Sequence, residues 1–359
     1  MKQGMSLQEL LTEVVRRNEE KHDYLVPTDN LAMSLSSVGE TVAPVLQMSD
    51  GKDHTLVADI NDIAHRQIGS ALNIPAFYYD RMKAECPSLL ADNVNTWLGR
   101  AKSRRMIRTL DGTARAFLSD RYRVIDNDKI LETVLPEIMD VDGLRVESCS
   151  VTDQRLYLKV INEKLTADVA VGDAVQAGMI ISNSEVGMGS VLVQPLVYRL
   201  VCSNGMTVND ARTRKNHVGR GNDAAENFEL YADETLKASD HAFLLKLRDT
   251  VRAVSNELQF QKVVGMMRDA KAAKIATNDL NGFVDLTAKE FSLGKEESNG
   301  VLRRLIEGGD LSLYGLANAV TRHSQDVESY DRATALEGVG YNILSMPRGT
   351  WNRLNREAA

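Results

Sequence analysis

Residues 179–206 read MIISNSEVGMGSVLVQPLVYRLVCSNGM, and this stretch decides the fold class. Val191-Leu192-Val193, Leu196-Val197-Tyr198 and Leu200-Val201-Cys202 are apolar on both parities, the pattern of a strand buried on two faces. Gly187, Gly189 and Gly205, with Asn183-Ser184 and Ser203-Asn204 beside them, are residues that tolerate turn geometry. The stretch therefore predicts a central strand entered and left by tight turns. Arg199 is a charge in this apolar run, and it must find a partner or face a groove.

Strand patterns extend upstream of it. Residues 104–119 hold two alternating runs, RRMIRTL and TARAFLS, on either side of Asp111-Gly112, the strongest short-range hairpin signal. A two-residue loop there sets Arg108 opposite Arg115 and Met106 opposite Phe117. Like charges in register are destabilising, so the two arginines either splay into water or share an anion. LRVESCSV, QRLYLKVI and DVAVGDAVQAGMIIS continue the strand character towards the central stretch. Helical spacing dominates elsewhere. Ser6 caps LQELLTEVVRRNEEK, apolar residues at Ile60, Ile63, Ala64, Ile68 and Leu72 form one stripe, Pro75 opens AFYYDRMKAE, and KILETVLPEI follows Asp126-Asn127. Beyond Ala224, Phe243, Leu247, Val251, Val254 and Leu258 mark one long seamed helix, Gly308-Gly309 stops another, and Leu313–His323 and Ser329–Leu344 complete the set. The expected class is α+β: a central, mainly antiparallel sheet over about residues 100–210 between helical regions. Its parts are a mainly helical region 1–99, a β-rich core 100–222 and a helical region 223–359.

With 359 residues, two or three structural regions are expected. No run approaches the ~18 apolar residues of a membrane span, and the first residues lack the apolar core of a signal peptide, which predicts a cytoplasmic protein without membrane contact. Cys86, Cys149 and Cys202 are far apart and lack metal-ligand spacing, so neither a disulfide framework nor a zinc site is expected.

Few residues carry a recognisable chemistry. Glu185-Val186-Gly187-Met188-Gly189 cannot be completed to a dinucleotide or phosphate-loop motif and reads as turn glycines. No histidine pair has ligand spacing, no GxSxG occurs, and Cys202 reads as a small buried hydrophobe. No catalytic residue, metal or cofactor is expected. The basic residues stand out instead. Arg100, Lys102, Arg104, Arg105, Arg108, Arg115, Arg121 and Arg123 are interleaved with Trp97, Phe117 and Tyr122. Arg212, Arg214, Lys215, His217 and Arg220 follow without an intervening acid. Arginine forks suit phosphate and aromatic rings stack on unpaired bases, so these two clusters, with Arg199, are the expected contacts to nucleic acid. On that reading Arg108→Glu with Arg115→Glu abolishes binding and spares the fold. The opposing reading is a solvated face whose arginines pair with some of the 50 acidic residues, in a chain of net charge −7.

NSEVGMGSVLVQPLVYRLVCSNGM with HVGRG, together with NIPAFYYDRM, FLSDRYRVIDNDKILE and YDRATALEGVGYNIL, resembles the phage/plasmid-like proteins grouped as domain of unknown function 932. The resemblance spans roughly residues 60 to 345. It implies a mobile-element origin and supplies no catalytic residues. The combined expectation is a non-enzymatic homo-oligomer that binds nucleic acid, single-stranded DNA in particular; the alternative is a module that docks on a host defence or recombination protein.

Overall fold

The computed structural model describes residues 1–38, 41–49, 54–209, 213–215, 233–252 and 257–358. Its α+β class is the expected one, but the strands form two six-stranded sheets. One of them, sheet A, is an antiparallel meander of β7 (Leu144–Val151), β8 (Leu156–Ala170), β9 (Asp173–Asn183), β10 (Val191–Arg199) and β11 (Asn204–Thr207). A short β12 (Thr213–Lys215) also pairs with β10.

The central stretch forms β10 as expected, flanked by β9 on one side and by β11 and β12 on the other. Pro195 explains why that outer partner is split. It has no N–H to give a ladder, and the pairing of β12 with residues 191–193 and of β11 with residues 196–199 breaks at this position. Its carbonyl still accepts from Val208 N at 2.8 Å. Two details differ from the expectation. Leu200 and Val201 lie in the turn after β10 and are exposed, and the left-handed residue of that turn is Ser203 (φ 52°), whereas Gly205 sits in β11.

Leu158, Ile181 and Val193 stand side by side across β8, β9 and β10 on one face. That face is covered by α1 (Leu7–Glu20), α5 (Asn127–Asp140) and α6 (Asp233–Arg252) through Leu10, Val14, Ile130, Val134, Phe243 and Leu247. The Ser6 capping box starts α1, with Ser6 Oγ accepting from Glu9 N and Glu9 Oε2 accepting from Ser6 N. Val175, Ala177 and Val197 pack instead with α7 (Glu257–Ala272), α8 (Leu280–Glu290), α9 (Lys295–Gly308), α10 (Leu313–His323), α11 (Tyr330–Leu344) and α12 (Arg348–Glu357). Among the described residues the expected seam is buried at Phe243, Leu247 and Val251. Leu258 is 84% exposed, and α7 buries Phe260, Val263, Val264 and Met267 in this second core. Val254 lies outside the described residues.

Sheet B is only partly legible in the sequence. Residues 1–99 contain α1, α2 (Asp62–Ala71), α3 (Ala76–Glu85) and α4 (Pro87–Ala101), but also β1 (His22–Pro27), β2 (Leu31–Val38), β3 (Thr41–Ser49) and β4 (Thr55–Ile60). These join the hairpin strands β5 (Arg104–Leu110) and β6 (Thr113–Ser119) in the order β1-β5-β6-β4-β3-β2. Leu31, Met33, Leu46, Met48, Ile107 and Phe117 form its core with α2 to α4. Asn95 of α4 also pairs the edge strand β2, accepting from Met33 N at 2.7 Å and donating to Met33 O at 2.8 Å.

Candidate nucleic-acid interface

The expected two-residue hairpin turn forms, with Asp111 at φ 51° and Gly112 at φ 77° in primed geometry. Its register does not continue as a simple ladder. Leu110 faces Thr113 and Thr109 faces Ala114, but Arg108 faces Ala116 and Ile107 faces Phe117, so a bulge accommodates Arg115. Arg108 and Arg115 are therefore not directly opposed, and they take neither of the two anticipated outcomes: both turn inward, each to its own carboxylates.

They meet at the residue Glu185. Arg115 Nη2 donates to Glu185 Oε2 at 3.0 Å, and Arg108 Nη1 donates to the Glu185 backbone carbonyl at 2.8 Å. Arg108 also donates through Nε to Asp23 at 2.7 Å and through Nη2 to Asp126 at 2.8 Å. Lys21 Nζ lies 2.9 Å from Asp126, and Asn127 N donates to Glu185 Oε1 at 2.8 Å. Arg108 is fully buried and Arg115 nearly so. Burial opposes the charge on Arg108, yet Asp23 and Asp126 hold its guanidinium above its ordinary pKa. Burial likewise opposes the Asp126 carboxylate, and Arg108 and Lys21 hold it below its ordinary value.

The same loop joins the two sheets. Val186 packs with Ile63, Ala116 and Leu118, its carbonyl accepts from Gln67 Nε2 at 2.7 Å, and the Ser184 carbonyl accepts from Tyr122 at 3.0 Å. Gly187 has φ 74°, and a Cβ there would come within 2.6 Å of Leu118 Cδ2. The EVGMG glycines thus serve a joint filled by protein groups, leaving no phosphate cradle.

Four expected nucleic-acid contacts are accordingly reassigned. Arg108 and Arg115 are committed to the joint. Arg123 donates to Asp240 at 2.8 Å, and Arg199 grips Asp173 through Nε and Nη2 at 2.5 and 2.8 Å. Each is drawn inward because a carboxylate on a packed element meets it. Cys202 is also corrected from a core residue: it is half-buried, with Sγ 3.2 Å from Arg199 Nη1. Arg214 and Lys215 fall in β12, opposite Leu192 and Val191, while Arg212, His217 and Arg220 lie outside the described residues.

The remaining cations gather at one end of sheet B. Arg100 ends α4, Lys102 follows in a left-handed conformation, and Arg104 and Arg105 begin β5. Because Arg105 faces Ser119, Arg121 comes to the same end. Arg100 Cζ sits 5.3 Å from the ring centroid of Trp97, which is 43% exposed, and Arg105 Cζ sits 5.6 Å from that of Phe117. Lys102 pairs with Asp29 at 2.9 Å. Arg100, Arg104 and Arg121 are exposed and have no carboxylate partner among the described residues. Such a strip can neutralise backbone phosphates beside one stacking ring.

The sequence reading missed the acids that organise this region, Asp23, Asp126 and Glu185, and a second buried pair, Lys159 with Glu337 at 2.7 Å, both fully buried. Lys159 did carry a signal, as a charge within a run whose two parities are both apolar, whereas Glu185, among Asn183, Ser184 and Gly187, carried none. Their partners, distant in sequence, carried none.

The family model described as Domain of unknown function (DUF932) matches residues 116–335. No curated protein and no solved structure matches the chain.

Proposed function

The chain belongs to this family, whose description names no activity, and we propose that it is a non-enzymatic protein that binds single-stranded DNA in the DNA metabolism of a phage or plasmid, in annealing, protection or recombination. The observation that carries this reading is the strip of Arg100, Arg104 and Arg121, solvent-facing and without carboxylate partners among the described residues, next to the half-exposed Trp97 ring. Phosphates meet the arginine forks and an unpaired base meets the ring. Lys102 and Arg105 extend the strip, and in this reading Arg212, Arg214, Lys215, His217 and Arg220 supply further contacts to the strand. The protein then acts in the host cytoplasm as a homo-oligomer that covers the strand with repeated copies of the strip.

A filter-binding titration of a labelled single-stranded oligonucleotide at low salt tests this. Binding that Arg100→Glu with Arg104→Glu removes supports the reading, and no detectable binding by the wild type overturns it. A protein-docking module is the second reading, favoured by exposed Leu35, Val42, Leu56 and Val57 on β2 to β4. One stoichiometric host protein retained after nuclease treatment, with no affinity for oligonucleotide, selects it.

A further inference from the structure

At the end of sheet A remote from the joint lies a cavity of about 270 Å3 between the end of β10, the last turn of α9 and one face of α10 from Tyr314 to Arg322. Asp173 and Asn183 bound β9, so this end is roughly 33 Å from the joint at about 3.3 Å per residue. Arg199, Arg304 and Arg322 all line the cavity, with Tyr314, Cys202 and Gly308 between them.

The charges on its wall are unequally satisfied. Arg199 is held by Asp173, and Arg304 by Asp326 at 2.7 Å and Glu307 at 2.7 Å. Asp310, also on the wall, faces Lys271 at 3.7 Å and Lys274 at 3.4 Å. Arg322 differs: its Nη1 is spent on the Cys202 carbonyl and on Gln325 Oε1, while Nε and Nη2 have no acceptor among the described residues. Arg322, in the last turn of α10, is the lining charge left without a carboxylate partner among the described residues, so it decides what the cavity attracts. An arginine fork with two free donors is matched by an oxyanion. A dianion gains more than a monoanion from Arg322, the one lining guanidinium without a carboxylate partner among the described residues. The volume admits a small metabolite and no polymer.

We infer that this cavity binds a small phosphorylated molecule, with its phosphoryl group on Arg322. The site goes beyond the proposed strand binding and shares no residue with the basic strip. Cys202 provides a readout in the intact protein, since it lines the cavity whereas Cys86 is exposed elsewhere and Cys149 is buried. Alkylation of Cys202 and of Cys86 by iodoacetamide is followed by peptide mass spectrometry with inorganic phosphate, glycerol phosphate, acetate or chloride at equal ionic strength.

With phosphate or glycerol phosphate at about ten times the dissociation constant, the Cys202 rate falls about tenfold by mass action and the Cys86 rate does not change. Acetate and chloride leave both rates unchanged. Arg322→Gln abolishes the protection. Gly308→Trp, placed where an added Cβ meets nothing within 4 Å, fills the space with every charge retained and also abolishes it. Absence of protection in the wild type, equal protection by acetate or chloride, or protection persisting in folded Arg322→Gln and Gly308→Trp overturns the inference.

Discussion

Arg108 shows how far one side chain departs from what its neighbours in sequence suggest. It sits in a run of basic residues, yet it has no solvent contact and bonds two carboxylates, Asp23 and Asp126, and the Glu185 backbone carbonyl, from three segments. Removing one member of a buried ion pair leaves the others desolvated and unpaired, so Arg108→Ala should cost about 3–5 kcal/mol in urea unfolding. Arg100→Ala, at the surface, should change stability by no more than about 0.5 kcal/mol. The pair Arg108→Glu with Arg115→Glu consequently reports on folding and cannot test DNA contact. His65 supplies a second residue-scale prediction. Burial pushes its imidazole down from 6.5 to about 4, and Nδ1 lies 2.9 Å from the Tyr79 hydroxyl. A depressed folded value means that the unfolded chain binds the proton more readily. The contribution is therefore full above pH 6.5 and is lost as pH falls towards 4, amounting to about 3 kcal/mol for this shift. His65→Gln should flatten that part of the stability–pH curve relative to wild type, as measured by urea unfolding from pH 4 to 7; an unchanged difference between the two proteins refutes it.

Among the elements, the loop from Ser184 to Gly189 has the largest consequence, because its backbone and Glu185 hold sheet B against sheet A. Gly187→Ala places a Cβ in a left-handed conformation and against Leu118. The conformation costs about 1–2 kcal/mol and the overpacking about 1–3 kcal/mol, so a destabilisation of about 2–5 kcal/mol is expected by denaturant unfolding. The elements of sheet A and the C-terminal helices were legible because their periods are clean: the β10 run, the Ser6 box, the Gly309 stop and Leu313–His323 all fall where the pattern puts them. The strands β1 to β4 were not. Pro44 in β3 and the polar start of β1 weaken their strand signal, although Leu31, Met33 and Leu35 in β2 do alternate with Ala32, Ser34 and Ser36. The bulge at Arg115 was invisible for a different reason: it is selected by Glu185, a residue 70 positions away. Local pattern fixes an element's type, whereas the destination of a charge depends on which carboxylate the fold brings to it.

Across the whole molecule, the net charge of −7 opposes a polyanion at long range. Screening reverses this at close range, since the Debye length is about 8 Å at physiological ionic strength and a strand on the basic strip chiefly senses the strip itself. Several of the acids are, moreover, neutralised inside the fold, as Asp23, Asp126, Asp173 and Glu185 are. If Arg100, Lys102, Arg104, Arg105 and Arg121 supply three to five phosphate contacts, log affinity for a single strand should fall against log salt with a slope of about −2 to −3.5, at about −0.7 per contact. Arg100→Glu, Arg104→Glu and Arg121→Glu together should make that slope shallower by about 2, because each reversal frees one phosphate to keep its counterion. All three are exposed, so the melting temperature should hardly move. Trp97→Ala should behave differently, weakening binding by about 1–3 kcal/mol with the slope unchanged, because stacking releases no counterions. Fluorescence-anisotropy titrations at four salt concentrations separate the two effects. A slope that the triple reversal leaves intact would move the binding surface away from this end of sheet B.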